Sequence, residues 1–459
     1  MNVSIILAAG EGTRMKSKKT KVLHEVCGKP LLDYVIRASK GAKVEKNIVI
    51  VGRDGEQVKG HFKGENLEFK TQPMGEGHPY GTGFAAMQAV PYIEDSSTVI
   101  ILSGDTPLIT EDTIEKMFNY HRENNFDGTV LTTILEEPTG YGRIIRGEGG
   151  HVSKIVEERD ANPEEKAIKE INSGIFCFRG KLLKYALSKI DNENAQNEYY
   201  LTDVIEVLKN EGYKIGAHII VDSNEIHGVN SRRQLAFCEE IMRRRINKRH
   251  MDDGVTIVNP DNTYIEDGVS IGRDTIIYPG VSIKGDTKIG EDCVISGDTT
   301  IIDSIIQPRV TIRSSLVEGS IVGQGTTIGP YAHLRPNSKI GENVSIGNFV
   351  EVKNSNIKDN TKANHLAYIG DADIGHNVNI GCAVVFVNYN GKEKFRTTVG
   401  DNAFVGSNSN LVAPVEVKSW GYVAAGSTIT KEVKEGELSI ARARQVNIPN
   451  WVERKGLKK

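Results

Sequence analysis

Cysteine is sparse and scattered in this chain. Cys27, Cys177, Cys238, Cys293 and Cys382 form no Cys-x-x-Cys pair, which excludes the usual zinc spacings and a disulfide framework. Charge of one sign is lacking too, and a formal net charge of -3 argues against a nucleic-acid-binding protein as a whole. No apolar run is long enough to cross a membrane, and Met1 leads straight into a strand pattern without a basic n-region or cleavage-site signal. The expectation is a cytoplasmic protein with no membrane or nucleic-acid partner. Aromatics make up only 6% of the chain, which suits a core of Ile and Val with little room for rings. Length is not scarce: 459 residues exceed what one hydrophobic core organises, so two domains are expected.

What dominates the second half is a comb. Ile265, Ile271, Ile277, Ile283, Ile289, Ile295 and Ile301 follow one another at a spacing of six. The comb resumes in Ile328, Leu334, Ile340, Ile346 and Val352, in Ile374, Ile380 and Phe386, and in Val399, Val405, Leu411, Val417, Val423 and Ile429. A helix asks for steps of three and four and a half-buried strand for steps of two, so neither fits. A prism of parallel β-coils does: each hexapeptide makes one short face, its aliphatic residue points inward, and the small residues that follow permit the corner. Three faces close a coil. About ten coils fit between Asp252 and Val433, giving a prism roughly 50 Å long at ~4.8 Å per coil. By itself such a prism could be only a scaffold.

In the first half, Val3 to Ala8 reads as a buried strand that runs into the glycine-rich stretch Ala9-Gly10-Glu11-Gly12-Thr13-Arg14-Met15. Glycines after a strand let backbone N–H groups approach phosphate oxygens, and a helix N-terminus behind them would add a favourable dipole. A dinucleotide fingerprint needs a third glycine where Met15 stands, and no Walker lysine follows. The apolar runs Asn47 to Val51 and Val99 to Leu102 alternate with helical stretches, which implies a doubly wound α/β domain. Asp105 follows the second run at the carboxyl end of a strand, where ligands gather. Its oxygens suit Mg²⁺ bridging phosphates, although an aspartate there could also cap a helix.

Leu7 to Arg14 with Lys21 resembles the signature of the sugar-nucleotide pyrophosphorylases, with Thr20 where that family usually carries proline. Further motifs sharpen the likeness: Gly140-Tyr141-Gly142-Arg143, Val156-Glu157, Glu170-Ile171-Asn172-Ser173-Gly174, Tyr199 to Asp203 and Gly228-Val229-Asn230. With the prism, they resemble the bifunctional family that joins an N-acetylglucosamine-1-phosphate uridylyltransferase to a glucosamine-1-phosphate acetyltransferase. The resemblance implies a Rossmann-like nucleotidyltransferase domain over residues 1–230, a linker helix over 231–251 and a left-handed parallel β-helix over 252–459. It implies Mg²⁺ on Asp105 and Asn230, UTP and acetyl-CoA as co-substrates, and a homotrimer built through the β-helix. Arg14 and Lys21 would neutralise the triphosphate. Leu7, Ala8, Ala9, Gly10, Gln72, Gly81 and Thr82 would hold the nucleotide, and Gly142, Glu157 and Asn172 the amino sugar, with Asn230 touching UDP-N-acetylglucosamine as well as the metal. The family's uridine segment carries a second glutamine, which is missing between Gln72 and Gly83.

In the prism the same resemblance implies His365 as the general base, the residue type suited to taking a proton near neutral pH; it interrupts the comb in Lys362 to Tyr368. Arg335, Lys353, Tyr368 and Asn379 would bind glucosamine 1-phosphate, and Ser407, Ala425 and Arg442 acetyl-CoA, with Asn388 and Tyr389 serving one or the other. The stretch Asn388 to Arg396 breaks the hexapeptides and should loop out. Cys382-Ala383 stands where Ala-Gly is commoner, and Asn390 where Asp is. The run Ser231 to Met251 lacks Gly and Pro and spaces Leu235, Cys238, Ile241, Met242 and Ile246 as a helix. Its Arg243, Arg244, Arg245, Lys248 and Arg249 read as a solvated face. Two other readings compete, a single-function nucleotidyltransferase with the prism as scaffold and a non-enzymatic sugar-nucleotide sensor. His365, Asn388 and Tyr389 disfavour the first, and Lys21 with Asp105 the second.

Overall fold

Alternate residues of β1 (Asn2–Ala8) enter different cores: Val3 and Ile5 pack on one side of the sheet, Ile6 and Ala8 on the other. The same alternation holds in β2 (Lys46–Val51) and β4 (Thr98–Ser103), which explains why these strands read as unbroken apolar runs. With β3 (Glu68–Thr71), β5 (Gly128–Ile134), β6 (Glu170–Arg179) and β7 (Ile215–Ile219), they lie in the order β7-β5-β6-β4-β1-β2-β3. All neighbours are parallel except β6, which runs against β4 and β5. Helices α1 (Leu31–Gly41) and α2 (Glu111–Glu123) cover the sheet. The computed structural model describes residues 1–75, 77–194 and 196–458. Glu76, in the uridine segment, and Lys459 lie outside them.

The chain divides into two compact units, Met1–Met242 and Arg243–Lys459. The division falls inside α3 (Arg232–Asp252), one residue out of register with the expected linker. Cys238, Met242, Ile246 and His250 are buried at steps of four. In the first unit Glu239 accepts a hydrogen bond from Cys27 N at 2.9 Å; in the second Asn247 Nδ2 donates to Pro260 O at 2.8 Å and Thr263 O at 3.1 Å. Part of the basic run is paired, with Lys248 on Asp252 at 2.5 Å and Arg249 on Asp267 at 3.2 Å.

The second unit is the expected prism. Ile265 pairs with Ile283, and Ile277 with Ile295, in parallel register eighteen residues on, which is three hexapeptides per coil. One face is a nine-stranded sheet; the other two form one nineteen-stranded sheet because Ser345–Lys353 and Lys362–Gly370 run round a corner without a break. Nearly every tooth of the comb is buried, each contributing about 1.5–3 kcal/mol. Ile271, in the terminal coil, is only half-buried. The gap in the comb after Ile301 is filled by Ile306, Ile312, Val317 and Val322, all buried, with three of the steps shortened to five residues. Ile357, Ala363 and Ile369 likewise fill the second gap. His365 therefore does not interrupt the comb: Ala363 keeps the inward place and His365 points out, exposed.

Candidate active sites

At the carboxyl ends of β1 and β4, Lys21, Asp105 and Asn230 converge. Lys21 Nζ lies 2.5 Å from Asp105 Oδ2 and 3.1 Å from Asn230 Oδ1, with both charged side chains largely buried. Val229 N donates to Asp105 O at 2.9 Å and Gly104 N to Leu7 O at 2.8 Å, which ties the three segments together. Asp105 is not a helix cap, since α2 begins at Glu111 and is capped by Thr110. The helix expected behind the glycine loop is absent: residues 13–15 make a single 3-10 turn between left-handed Gly12 and Lys16, and the first α-helix starts at Leu31. Phosphate binding here would rest on loop N–H groups and Lys21 without a helix dipole. Arg14 is exposed on that turn, and its guanidinium makes no ion pair among the described residues. The other expected nucleotide residues, Leu7, Ala8, Ala9, Gly10, Gln72, Gly81 and Thr82, line one cleft with Lys21 and Asp105. Gly81 needs to be glycine, because its φ is +117° and a Cβ would stand 2.4 Å from Tyr199 O. The oxygens of Asp105 and Asn230 are hard donors already facing a cation, the Lys21 ammonium, so this pair fits Mg²⁺ completed by phosphate oxygens and water.

A second cleft shares Leu7, Thr82, Ser103 and Glu198 with the first and contains Glu157 and Asn172. The register of β6 against β5 slips between Asn172 and Phe176, and the irregularity turns Asn172 and Gly174 toward this cleft. Gly142 O accepts from Asn172 N at 2.8 Å, and a Cβ on Gly142 would touch the Glu157 carboxylate at 3.5 Å. Burial, with Asp160 nearby, pushes the Glu157 carboxyl above its ordinary range while a Thr202 hydrogen bond pulls it back. Asp203 behind it is pushed up to about 6 by burial and by Glu206, Asp191, Glu157 and Asp160. Arg143 of the Gly140 to Arg143 motif is buried and paired with Glu158 at 2.7 Å. Glu198 and Thr202 were not singled out by the sequence; Thr202 lies within the Tyr199 to Asp203 motif and Glu198 just before it, which was the available signal.

On the prism the expected residues fall into two sets on the two faces that meet at the corner of Phe349 and Leu366. One set follows the corner. Arg335 Nη1 pairs with Glu351 Oε1 at 2.9 Å, Glu351 stands beside Tyr368 in register, and Asn388 Nδ2 reaches the Tyr368 hydroxyl at 3.4 Å. Lys394 joins them, unforeseen: the Lys353 ammonium beside it holds its pKa below the ordinary lysine value. Two ammonium groups so close leave a place for a dianion. The other set precedes the corner. Asn348 and His365 are register partners, with His365 Nδ1 at 3.3 Å from Asn348 Oδ1. Below them Ala383 N donates to Leu366 O, Asn408 N to Cys382 O and Gly426 N to Ser407 O at 2.5, 2.7 and 2.8 Å, so His365, Cys382, Ser407 and Ala425 form one column. Arg442 closes it through Ala425 O at 2.6 Å. Asn379 lies on this face, paired with Lys362 and Phe404. The Asn388 to Arg396 stretch does loop out: Ala372 pairs with Thr397, twenty-five residues on instead of eighteen, and Tyr389 bridges Lys394.

Residues 3–224 match the nucleotidyl transferase family, and residues 268–303 and 319–354 match bacterial transferase hexapeptide repeats. The bifunctional protein GlmU of Alkaliphilus oremlandii is 59% identical over 456 residues, 99% of each chain. The chain belongs to the GlmU family of bifunctional proteins. The GlmU protein of Clostridioides difficile is 54% identical over 99% of this chain and 98% of its own. Of the solved structures, a UDP-glucose pyrophosphorylase complexed with UDP-glucose covers 53% of this chain and 99% of its own at 18% identity and a TM-score of 0.45, too loose a likeness to bear on the reaction. Membership bears out the two-activity reading: the chain is a bifunctional transferase, a uridylyltransferase domain followed by a left-handed β-helical hexapeptide acetyltransferase domain. The scaffold and sensor readings fall away.

Proposed function

We propose that the chain acetylates glucosamine 1-phosphate with acetyl-CoA and then transfers uridylyl from UTP to the N-acetylglucosamine 1-phosphate formed, releasing pyrophosphate and UDP-N-acetylglucosamine. In the second step a phosphate oxygen of the sugar attacks the α-phosphorus of UTP, and Lys21 and Arg14 neutralise charge on the triphosphate. The convergence of Lys21, Asp105 and Asn230 from three distant segments supports this most directly. Asp105 and Asn230 would hold Mg²⁺, which would supply charge neutralisation for the triphosphate. Gln72, Gly81 and Thr82 hold the nucleotide; Gly142, Glu157 and Asn172 hold the sugar.

In the first step His365 takes a proton from the substrate ammonium, the amine attacks the thioester carbonyl, and coenzyme A leaves as thiolate and is reprotonated. Asn348 supports that role, because Nδ1–H donating to its Oδ1 leaves Nε2 free as the base. Arg335, Lys353, Lys394 and Tyr368 take the sugar phosphate, and the column of Ser407, Ala425 and Arg442 takes acetyl-CoA. Supplying glucosamine 1-phosphate, acetyl-CoA, UTP and Mg²⁺ and identifying products by mass tests the whole sequence. Removing metal with EDTA should abolish UDP-N-acetylglucosamine and leave N-acetylglucosamine 1-phosphate accumulating. Loss of both products would contradict a single metal site in the first domain.

The working unit in this reading is a cytoplasmic homotrimer packed through the prisms, without membrane or nucleic-acid partners. Among the described residues no helix is long and apolar enough to cross a membrane. The two sets of acetyl-transfer residues flank a convex corner, so one chain alone offers them no shared concavity. Tyr331, Phe349 and Leu366 stand 62%, 57% and 54% exposed along that corner, and Tyr331 stacks on Phe349; such a ridge is suited to a neighbour's groove. Light scattering at micromolar concentration should give three times the chain mass, and an acetylating monomer would refute the trimer.

A further inference from the structure

Asp371 is a buried carboxylate that no step above uses. It is 6% exposed, and its φ of +50° places it at a corner of the prism. Both its oxygens are engaged: Oδ1 accepts from Asn354 Nδ2 and Oδ2 from Asn388 Nδ2, each at 2.5 Å. Its backbone joins three segments, with Asp371 N donating to Lys353 O at 3.0 Å and Thr397 N, where the inserted loop returns, donating to Asp371 O at 3.1 Å. The charged groups around it are Lys353, Lys394 and Arg396, with the Tyr368 hydroxyl close by.

A carboxylate only accepts hydrogen bonds, so whatever amide faces it must present its NH₂ end. Asn388, 8% exposed, has that end fixed between Asp371 and the Tyr368 hydroxyl. Its Oδ1 then faces away from Asp371 and takes no bond among the described residues. Gly370 keeps the arrangement tight, since a Cβ there would meet the Tyr368 hydroxyl at 2.4 Å and Asn388 Nδ2 at 2.8 Å. We propose that Asp371 is a positioning residue for acetyl transfer: it locks the Asn388 amide so that Oδ1, an acceptor, is offered to the N–H groups of the amino sugar. Turned over, the same amide would offer a donor to an ammonium. This inference rests on the assignment of the prism as the acetyl-transfer site.

The test is a swap. Asp371→Asn leaves one acceptor where two amides need one each, so one of them must turn over or go unpaired. We expect kcat for acetyl transfer to fall roughly 10- to 100-fold, the range for losing a charge-assisted hydrogen bond, with KM for acetyl-CoA unchanged. Adding Asn388→Asp restores a carboxylate opposite an amide with every donor matched, and an acceptor still faces the substrate. The double variant should regain most of the loss, which a folding defect at Asp371 would not do. Uridylylation and chain association should be normal in both. Wild-type acetylation by Asp371→Asn, or an equal loss in single and double variants, overturns the inference. Failure of the unmodified protein to acetylate glucosamine 1-phosphate overturns the underlying site assignment, and the inference falls with it.

Discussion

His365→Ala should lose acetyl transfer by ~10²-fold or more, the usual contribution of a positioned general base, while uridylylation of supplied N-acetylglucosamine 1-phosphate stays near the unmodified rate. The selectivity follows from placement. His365 is an outward, exposed residue of a strand whose core positions belong to Ala363, Ala367 and Ile369, so its removal opens no cavity. The measurement is a pair of assays on one preparation, with oligomer size checked first. The loss should also lessen as pH rises, because the free amine fraction of the substrate grows and the base has less to do. A folded variant that acetylates at the unmodified rate would reduce His365 to a surface residue.

Asp105→Ala should do the converse. Its carboxylate is the only anionic partner of the Lys21 ammonium, and Asp105 is one of the two side chains, with Asn230, that turn oxygens toward it, among the described residues. Without it uridylylation should fall by about a thousandfold, the equivalent of roughly 4 kcal/mol of lost charge stabilisation. Acetylation of glucosamine 1-phosphate by the prism should continue. Asp105→Asn keeps the shape and two hydrogen-bonding atoms, so it should keep the Lys21 position better than alanine yet still fail to hold the cation, and comparison of the two separates positioning from charge. Equal uridylylation by Asp105→Ala and the unmodified protein would refute the assignment.

Much of this was legible in the sequence for a physical reason. A six-residue repeat of buried aliphatics has few structural solutions, and Lys21, Asp105 and Asn230 were findable because each ends or follows an apolar strand or sits in a specific motif. The rungs at Ile306, Val317 and Val322 were missed because single residues are absent from corners there, which breaks the count without breaking the stack. Ala363 was missed because a short side chain does not register as a tooth. The dipole behind the glycine loop was an overreach: Gly12 and Lys16 in left-handed conformations end the turn after three residues. Asp371 looked like one more of the Asp and Asn residues that fill the prism's left-handed corners, and only the amides facing it set it apart. Lys394 was hidden in a loop whose path no periodicity describes.

The coil geometry has a consequence for how such a chain can change. Inward and outward residues alternate along each face, so a residue lost within a face would turn its core side outward. At the corners the prism has lost single residues and, between Asn388 and Arg396, gained a whole loop, and yet Ile374 meets Val399 and Val399 meets Val417 in unbroken register. Each corner therefore works as a splice junction where length is free to drift, at an entropic cost that grows only with the logarithm of the insert. New chemistry can enter the prism one loop at a time, carried on a stack that never changes phase.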